Sequence, residues 1–320
     1  MICKSVALRI AVVALHLAVP STMFAQAWVP AKGEGSLSVT YQKVDVQDHF
    51  SAAGETEHRG RIHTHNVITS LEYGLTNKLA LDVDLAYVAS RFDGPGLRLH
   101  GPGDDGFYHP TFSDAHVSLR YNVATKPIVV TPFIGFTIPT HDYAVQGHSA
   151  VGRGFHELLV GVNVGRQLGP VMPNGYAHLR YSYAILKDFA GFHLNHSNAD
   201  WELGWSANKL IALRFLGAWQ RTHGGLDFPA GRRLTAAEFD IHDRVAKADY
   251  VQVGGGVTFS LNRSFDVHTA YVRTVSARNT HGDAGIILGV TWRFSKGSSF
   301  GRIAANTSLS KPLGLGQTIF

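Results

Sequence analysis

The chain of 320 residues has one cysteine, Cys3, and three methionines. A disulfide framework is therefore excluded, and with it the small cross-linked secreted scaffolds. Charge is scarce as well: charged residues make up 17% of the chain, against about 25% in an average globular protein. No basic run is present, so nothing marks a nucleic-acid-binding surface. Beyond the N-terminus no apolar stretch approaches the roughly 18 to 20 residues that a membrane-spanning helix needs, and long helical periodicity is missing too. What is plentiful is glycine, at 34 residues, and aromatic side chains, at 11%. A chain of that kind can bury a core, which excludes disorder.

The first residues have the layout of a secretory leader. Lys4 and Arg9 give a basic start, Ile10 to Val19 is apolar, and Ala25-Gln26-Ala27 is a small-x-small cleavage site. Residues 1–27 are expected to be a signal peptide, outside the fold. Cys3 lies inside it, so the exported chain would carry no thiol. Without Lys4 and Arg9 the net charge falls to about +3.

From residue 35 onward, short segments alternate apolar and polar residues with a period of two, the mark of a strand with one greasy and one wet face. In 199–206, Ala199, Trp201, Leu203 and Trp205 share one face and Asp200, Glu202, Gly204 and Ser206 the other. In 285–294, Ile286, Leu288, Val290, Trp292 and Phe294 share a face without interruption. Twelve such segments are expected: 35–46, 62–74, 79–92, 113–123, 127–139, 155–168, 176–187, 198–206, 209–221, 249–261, 264–275 and 284–294. Those at 127–139 and 209–221 are blurred, because Phe133 and Leu216 put apolar residues on both faces.

The connections alternate in length. Short ones fall at 74–78, 124–126, 167–175, 207–209 and 261–264; long ones fall at 48–61, 93–112, 140–154, 188–197, 222–248 and 276–283. A soluble sandwich mixes its loop lengths, whereas an up-and-down membrane barrel has short turns at one end and long loops at the other. The expectation is an all-β, up-and-down antiparallel barrel of about 12 strands in the outer membrane of a Gram-negative bacterium, spanning 28–294, with short periplasmic turns and long extracellular loops. Tyr41, Tyr73, Tyr87, Tyr121, Trp205 and Phe294, near segment ends, suit the headgroup level of the surrounding lipid. Residues 295–320, basic, free of acids and rich in Gly and Ser, read as a flexible tail. In the loop 222–248, Thr235-x-x-Glu238 has the spacing of a capping box, so a short helix can cover the mouth.

With the polar face turned inward, the candidate lumen-lining acids are Glu72, Asp82, Asp84, Glu157, Asp200, Glu202 and Asp266. The bases are Arg120, Arg180, Arg214 and Arg293, with His116, His178 and His268 beside them. Asp82 with Arg120, Glu202 with Arg214 and Asp266 with Arg293 are expected to sit roughly opposite one another across neighbouring strands. Such pairs serve either as struts filling a narrow barrel or as a charged constriction that screens solutes. Twelve strands spaced about 4.8 Å apart and tilted about 40° give a backbone diameter of about 24 Å, too small for a general porin of 16 to 18 strands.

Histidine is abundant, at 18 residues. Fourteen, from His49 to His281, fall in proposed extracellular loops or strand tops. His63 and His65 share a strand face and are weak candidates for a metal, but no third ligand stands at a fixed local spacing. No cofactor is expected. Catalysis is not expected either: in His196-Ser197-Asn198 the histidine and serine are adjacent and so point to opposite faces, where a base cannot reach its nucleophile. The glycines at 254–256 precede no helix, which removes a dinucleotide site.

The segments AWVPAKGEGSLSVTYQ, YGLTNKLALDVDLAYVASRF (73–92), TPFIGFTIPTHDY (131–143), HDRVAKADYVQVGGGVTFSL (242–261) and FDVHTAYVRTVSARNTHGDAGIILGVTWRF (265–294) resemble a family of outer-membrane barrels linked to the meta-cleavage pathway of phenol degradation. The final TWRF is similar to the last-strand signature of such barrels, which usually ends the chain; here 26 residues follow. The family is described as transporters, so the resemblance implies uptake of small solutes, tilted toward hydrophobic or aromatic compounds, with the membrane lipid and the solute as partners. It implies no particular site residues. The alternative expectation is a closed structural or surface-binding barrel whose His-rich loops hold a partner or metal. Oligomeric state has no signature in the sequence.

Overall fold

In the computed structural model the described residues are 27–94, 103–231 and 235–295. The expected leader and tail therefore lie outside the described residues, apart from Ala27 and Ser295. Thirteen strands follow in order: β1 (Glu34–Phe50), β2 (Thr56–Glu57), β3 (Arg61–Gly74), β4 (Leu79–Asp93), β5 (Thr111–Tyr121), β6 (Val129–Pro139) and β7 (Glu157–Gln167). The rest are β8 (Gly175–Leu186), β9 (His196–Ser206), β10 (Ile211–Thr222), β11 (Asp249–Ser260), β12 (Phe265–Arg278) and β13 (Thr280–Ser295), with a helix α1 (Ala236–Val245) between β10 and β11. Each long strand pairs antiparallel with its sequence neighbour, and β13 returns to pair with β1 from Glu34↔Ser295 to Phe50↔Thr280. The sheet is thus a closed barrel of twelve strands, with the two-residue β2 clipped beside the far end of β1. Closure removes every edge, the only way a sheet can satisfy its backbone in lipid. Among the described residues no helix is long and apolar enough to cross a membrane.

The expected segments coincide with the twelve barrel strands. The two blurred ones resolve simply: Phe133 and Leu216 are buried in the lumen, while Ile134, Phe136, Leu213 and Phe215 stay exposed outside. One connection is corrected. No long loop spans 276–283; β12 continues to Arg278 and β13 starts at Thr280, so the turn is tight about Asn279 at φ 50°. Asn tolerates that left-handed conformation. Gly282 and Asp283 have the composition of a turn, but they continue the alternation of β13. The helix lies where Thr235-x-x-Glu238 predicts it.

The outside is inverted relative to a soluble protein. Val39, Leu119, Val160, Leu179, Leu288 and Val290 are among many large apolar side chains that are 40–49% exposed, while the face behind them buries Ser38, Thr131, Asn163, Thr258 and Thr291. Tyr73 stacks on Phe294 and Trp292 packs beside it, at centroid distances of 6.4 and 5.2 Å, in the girdle at the short-turn end. Above the band, outward-facing Lys43 and Asp45 form an ion pair of 3.2 Å and mark where water begins.

Candidate functional site

The alternation that builds the wall also decides what the lumen holds. All fourteen candidate residues lie on the inward face of their strands. Seven of them gather into three guanidinium–carboxylate nodes, and the other seven form a looser set of three histidines with Asp84, Glu157, Asp200 and Arg180.

The first node sits near the short-turn end. Glu72 and Asp82 are direct register partners on β3 and β4, so two carboxylates face each other across one ladder rung. Like charges so placed repel, and Arg120 answers both. Its Nε lies 2.6 Å from Asp82 Oδ2, and its Nη2 donates to Glu72 and, at 3.2 Å, to Asp82 Oδ1. The Ser118 hydroxyl adds a bond of 3.1 Å to Asp82. Arg120 is 2% exposed. The remaining nitrogen reaches the Trp28 carbonyl at 3.4 Å, and the Thr131 hydroxyl donates to the Ala27 carbonyl at 2.5 Å. The segment before β1 thus turns up into the barrel. There, a Cβ on Gly165 would run into Ala27 and the Trp28 ring, so that glycine makes room for the inserted segment.

In the second node Arg214 Nη2 lies 3.0 Å from Glu202 Oε2, and the Tyr176 hydroxyl donates to the other carboxylate oxygen. Tyr176 and Gly204 are register partners, and the tyrosine ring occupies the space a Cβ at 204 would need. Replacing Gly204 by valine is expected to displace the ring and cost about 1 to 3 kcal/mol by overpacking, read as a lower urea midpoint in detergent. In the third node, at the short-turn rim, Arg293 grips Asp266 with two nitrogens, at 2.6 and 3.1 Å.

The expected pairs are therefore brought together, but not as direct opposites. Asp82 faces Ser118, Glu202 faces Leu216 and Asp266 faces Thr291 in register, so each arginine bonds diagonally, two residues along. A guanidinium on a long stem reaches that diagonal of about 7 to 8 Å. Arg180, in register with Asp200, lies 4.4 Å over the Phe133 ring. Asp84 is in register with His116, whose Nδ1 lies 2.9 Å from the Thr137 hydroxyl. Glu157, 3.4 Å from that same hydroxyl, completes the row. His178 and His268 are buried with no bonding partner on either ring nitrogen.

Alternation alone also puts Tyr176 on the inward face, beside His178 and Arg180, but an inventory limited to charged residues misses it. A second missed cluster joins β11 to β13: Asp283 accepts from Gln252 at 2.8 Å and from Thr274. The composition of 276–283, which reads as a loop, conceals it.

His63 and His65 are engaged by different partners. Both point outward; His63 Nδ1 is 2.6 Å from Asp45, and His65 lies between the hydroxyls of Tyr41 and Tyr108, at 2.7 and 3.2 Å. Among the described residues no group of three or more His, Cys, Asp or Glu is placed to hold a metal ion. Ser197 faces outward, away from His196, and its hydroxyl lies 2.7 Å from His223 Nε2 and 3.1 Å from the Tyr181 hydroxyl.

At the long-loop end two connections fold across the mouth. Asp104, fully buried, takes the backbone N–H groups of His148 and Ser149, each at 2.9 Å, and the Ser149 hydroxyl at 2.7 Å. Although burial alone would raise its pKa, bonding to His148 and Ser149 holds Asp104 below the usual carboxylate range. The connection carrying α1 is tied to the opposite rim, where Asn279 accepts from the Phe228 N–H at 2.8 Å and donates to Asp227 at 2.9 Å. On its other side Arg244 lies over the rings of Phe155 and Phe189, at 4.5 and 4.0 Å.

No protein-family model and no curated protein matches the chain. Among solved structures it is similar to the COG4313 outer membrane channel from Pseudomonas putida F1, with a TM-score of 0.64 and 12% identity over 84% of this chain and 98% of that one. More distant are the NanC porin (TM-score 0.45, 8% identity, 81% and 100% covered) and the P. putida toluene transporter TodX (0.40, 8%, 87% and 93%). At these identities the likeness is one of fold: the protein is a closed twelve-stranded antiparallel β-barrel with the architecture of an outer-membrane channel.

Proposed function

We propose that the barrel sits in the bacterial outer membrane as a narrow channel for passive uptake of small solutes, hydrophobic or aromatic compounds among them. The observation that carries the reading is the closed twelve-stranded wall, apolar outside and lined with polar and ionised groups inside. A lumen dressed for water inside a wall dressed for lipid is what permeation requires. The aromatic preference rests on the resemblance of the sequence to the phenol-pathway barrels. The three nodes and the inserted 27–32 segment make the path fit for single small molecules, passing beside fixed charges.

One observation favours the second reading, a closed structural barrel. Arg120, Arg214 and Arg293 are each ion-paired, as struts would be. Single-channel recording of the refolded protein in a planar bilayer separates the two. Discrete steps blocked by added phenol support the aromatic channel, and steps indifferent to it support a channel of other specificity. Silence from a barrel shown to be folded by its heat-dependent gel shift refutes permeation through the lumen.

A further inference from the structure

Four imidazoles meet beneath the folded connections at the long-loop end. His49 stands on β1 and His281 on β13, one rung of the same ladder, with ring centroids 4.2 Å apart and edge to face. His148, from the 140–156 connection, lies 5.7 Å from His49, and His242 of α1 lies 5.9 Å from His148. They line one cavity together with Glu57, Arg59 and Asp243. His49 and His281 lie beyond the outward Lys43–Asp45 row, hence outside the membrane-spanning part of the wall.

The carboxylates around this cavity are already engaged. Glu57 is paired with Arg59 at 2.5 Å, and Asp104 holds His148 Nδ1 at 3.1 Å. Asp243 is shared between His242 Nε2 at 3.1 Å and His281 Nε2 at 3.9 Å. Asp283, the next inward residue after His281, is bonded to Thr274 and Gln252. Both ring nitrogens of His49 are buried and have no hydrogen-bond partner. Among the described residues, a second positive charge arriving here would face Arg59 and three other imidazoles, and the lining carboxylate beside them, Asp243, is already shared between His242 and His281.

We propose that this histidine cluster is an acid-opened latch, which holds the two connections shut over the mouth while its imidazoles are neutral and releases them when the outside medium acidifies. Burial, and after it the neighbouring imidazoles, pushes the His49 pKa far down; burial likewise takes His281 down to about 4, with Asp243 only partly restoring it. The sign follows. With the mouth open, both rings regain the ordinary histidine pKa of about 6.5. Below that pH the open form binds protons that the shut form refuses, so acid favours opening. Each excluded proton moves the equilibrium about tenfold per pH unit.

As a gate the latch rests on the channel reading, but opening can be measured without transport. The test is amide hydrogen exchange of the full chain folded in detergent at pH 7.5 and 5.0, with protection corrected for intrinsic exchange. Protection in α1 and in 140–154 is expected to fall at least tenfold at pH 5.0, while the barrel strands keep theirs. His49→Phe, which fills the same space without titrating, is expected to reduce that fall about tenfold; His49→Asn serves if the first variant does not fold. Equal protection at the two pH values, or an undiminished fall in a folded His49 variant, overturns the latch. Lost protection with bilayers silent at both pH values keeps the latch and removes the channel. Current without any pH-dependent loss of protection does the reverse.

Discussion

Arg120→Met is expected to destabilise the barrel by about 3 to 5 kcal/mol, the usual cost of stripping one partner from a buried ion pair. The reason is the company Arg120 keeps. Glu72 and Asp82 face each other on adjacent strands, and the one guanidinium bonds both. Without it two carboxylates stay buried at close range, and the Ser36 and Ser118 hydroxyls at 3.5 and 3.1 Å bring no charge to offset theirs. The measurement is urea unfolding in detergent, followed by the heat-dependent gel shift. The diagnostic arm is the triple variant Arg120→Met, Glu72→Gln, Asp82→Asn. It removes the charges rather than unbalancing them and is expected to recover most of the loss, because replacing a whole buried ionic group is often neutral. If Arg120→Met alone unfolds at the wild-type midpoint, the node is not a strut. The same variants in bilayers then ask whether conductance changes when the node is neutral but the wall intact, which separates a filter from a brace.

Val290→Arg should cost about 2 to 4 kcal/mol, the penalty for arginine on the lipid face near the bilayer midplane. Val290 is 46% exposed and sits in the centre of the outward run of β13, in register with Val39 on β1 and Val267 on β12. In a water-soluble barrel the same change, from an exposed valine to a charge, would be nearly neutral. The experiment therefore tests which solvent the outer face meets. It is done by folding titration in lipid vesicles, with Val171→Arg as control. Val171 is 93% exposed in the turn between β7 and β8, where an arginine is free to reach water. A full penalty at 290 and none at 171 is the expected pair of results; equal stability of both variants refutes the lipid-facing assignment.

Both experiments depend on inside and outside having been assigned correctly, and that assignment was legible early. Period-two alternation requires no knowledge of a partner strand: in 285–294 it already separates Ile286, Leu288, Val290 and Trp292 from Ile287, Gly289, Thr291 and Arg293. Loop-length alternation added the up-and-down order, and the capping box located the helix over the mouth. Where two faces were both apolar, at Phe133 and Leu216, the pattern blurred because a small barrel packs some large side chains inside its lumen. Where glycine and aspartate interrupt the pattern, at Gly282 and Asp283, the composition reads as a loop although β13 runs through it, since composition describes the turn propensity of a residue and not the pairing that overrides it.

Strand, face and sidedness are local properties, written in the spacing of residues along one segment, so the sequence by itself determined the barrel and the membership of its inner wall. Register is not local. It depends on how every strand is sheared against its neighbours when the sheet closes, and only the tertiary structure could put Glu72 opposite Asp82 and make Arg120 reach both diagonally. Closure likewise brought His49 beside His281, at opposite ends of the chain, and laid His148 and His242 over them from separate connections. Nothing in the spacing of those four histidines foretells their meeting, because their proximity is fixed by a ladder and two folded connections rather than by any one stretch of chain.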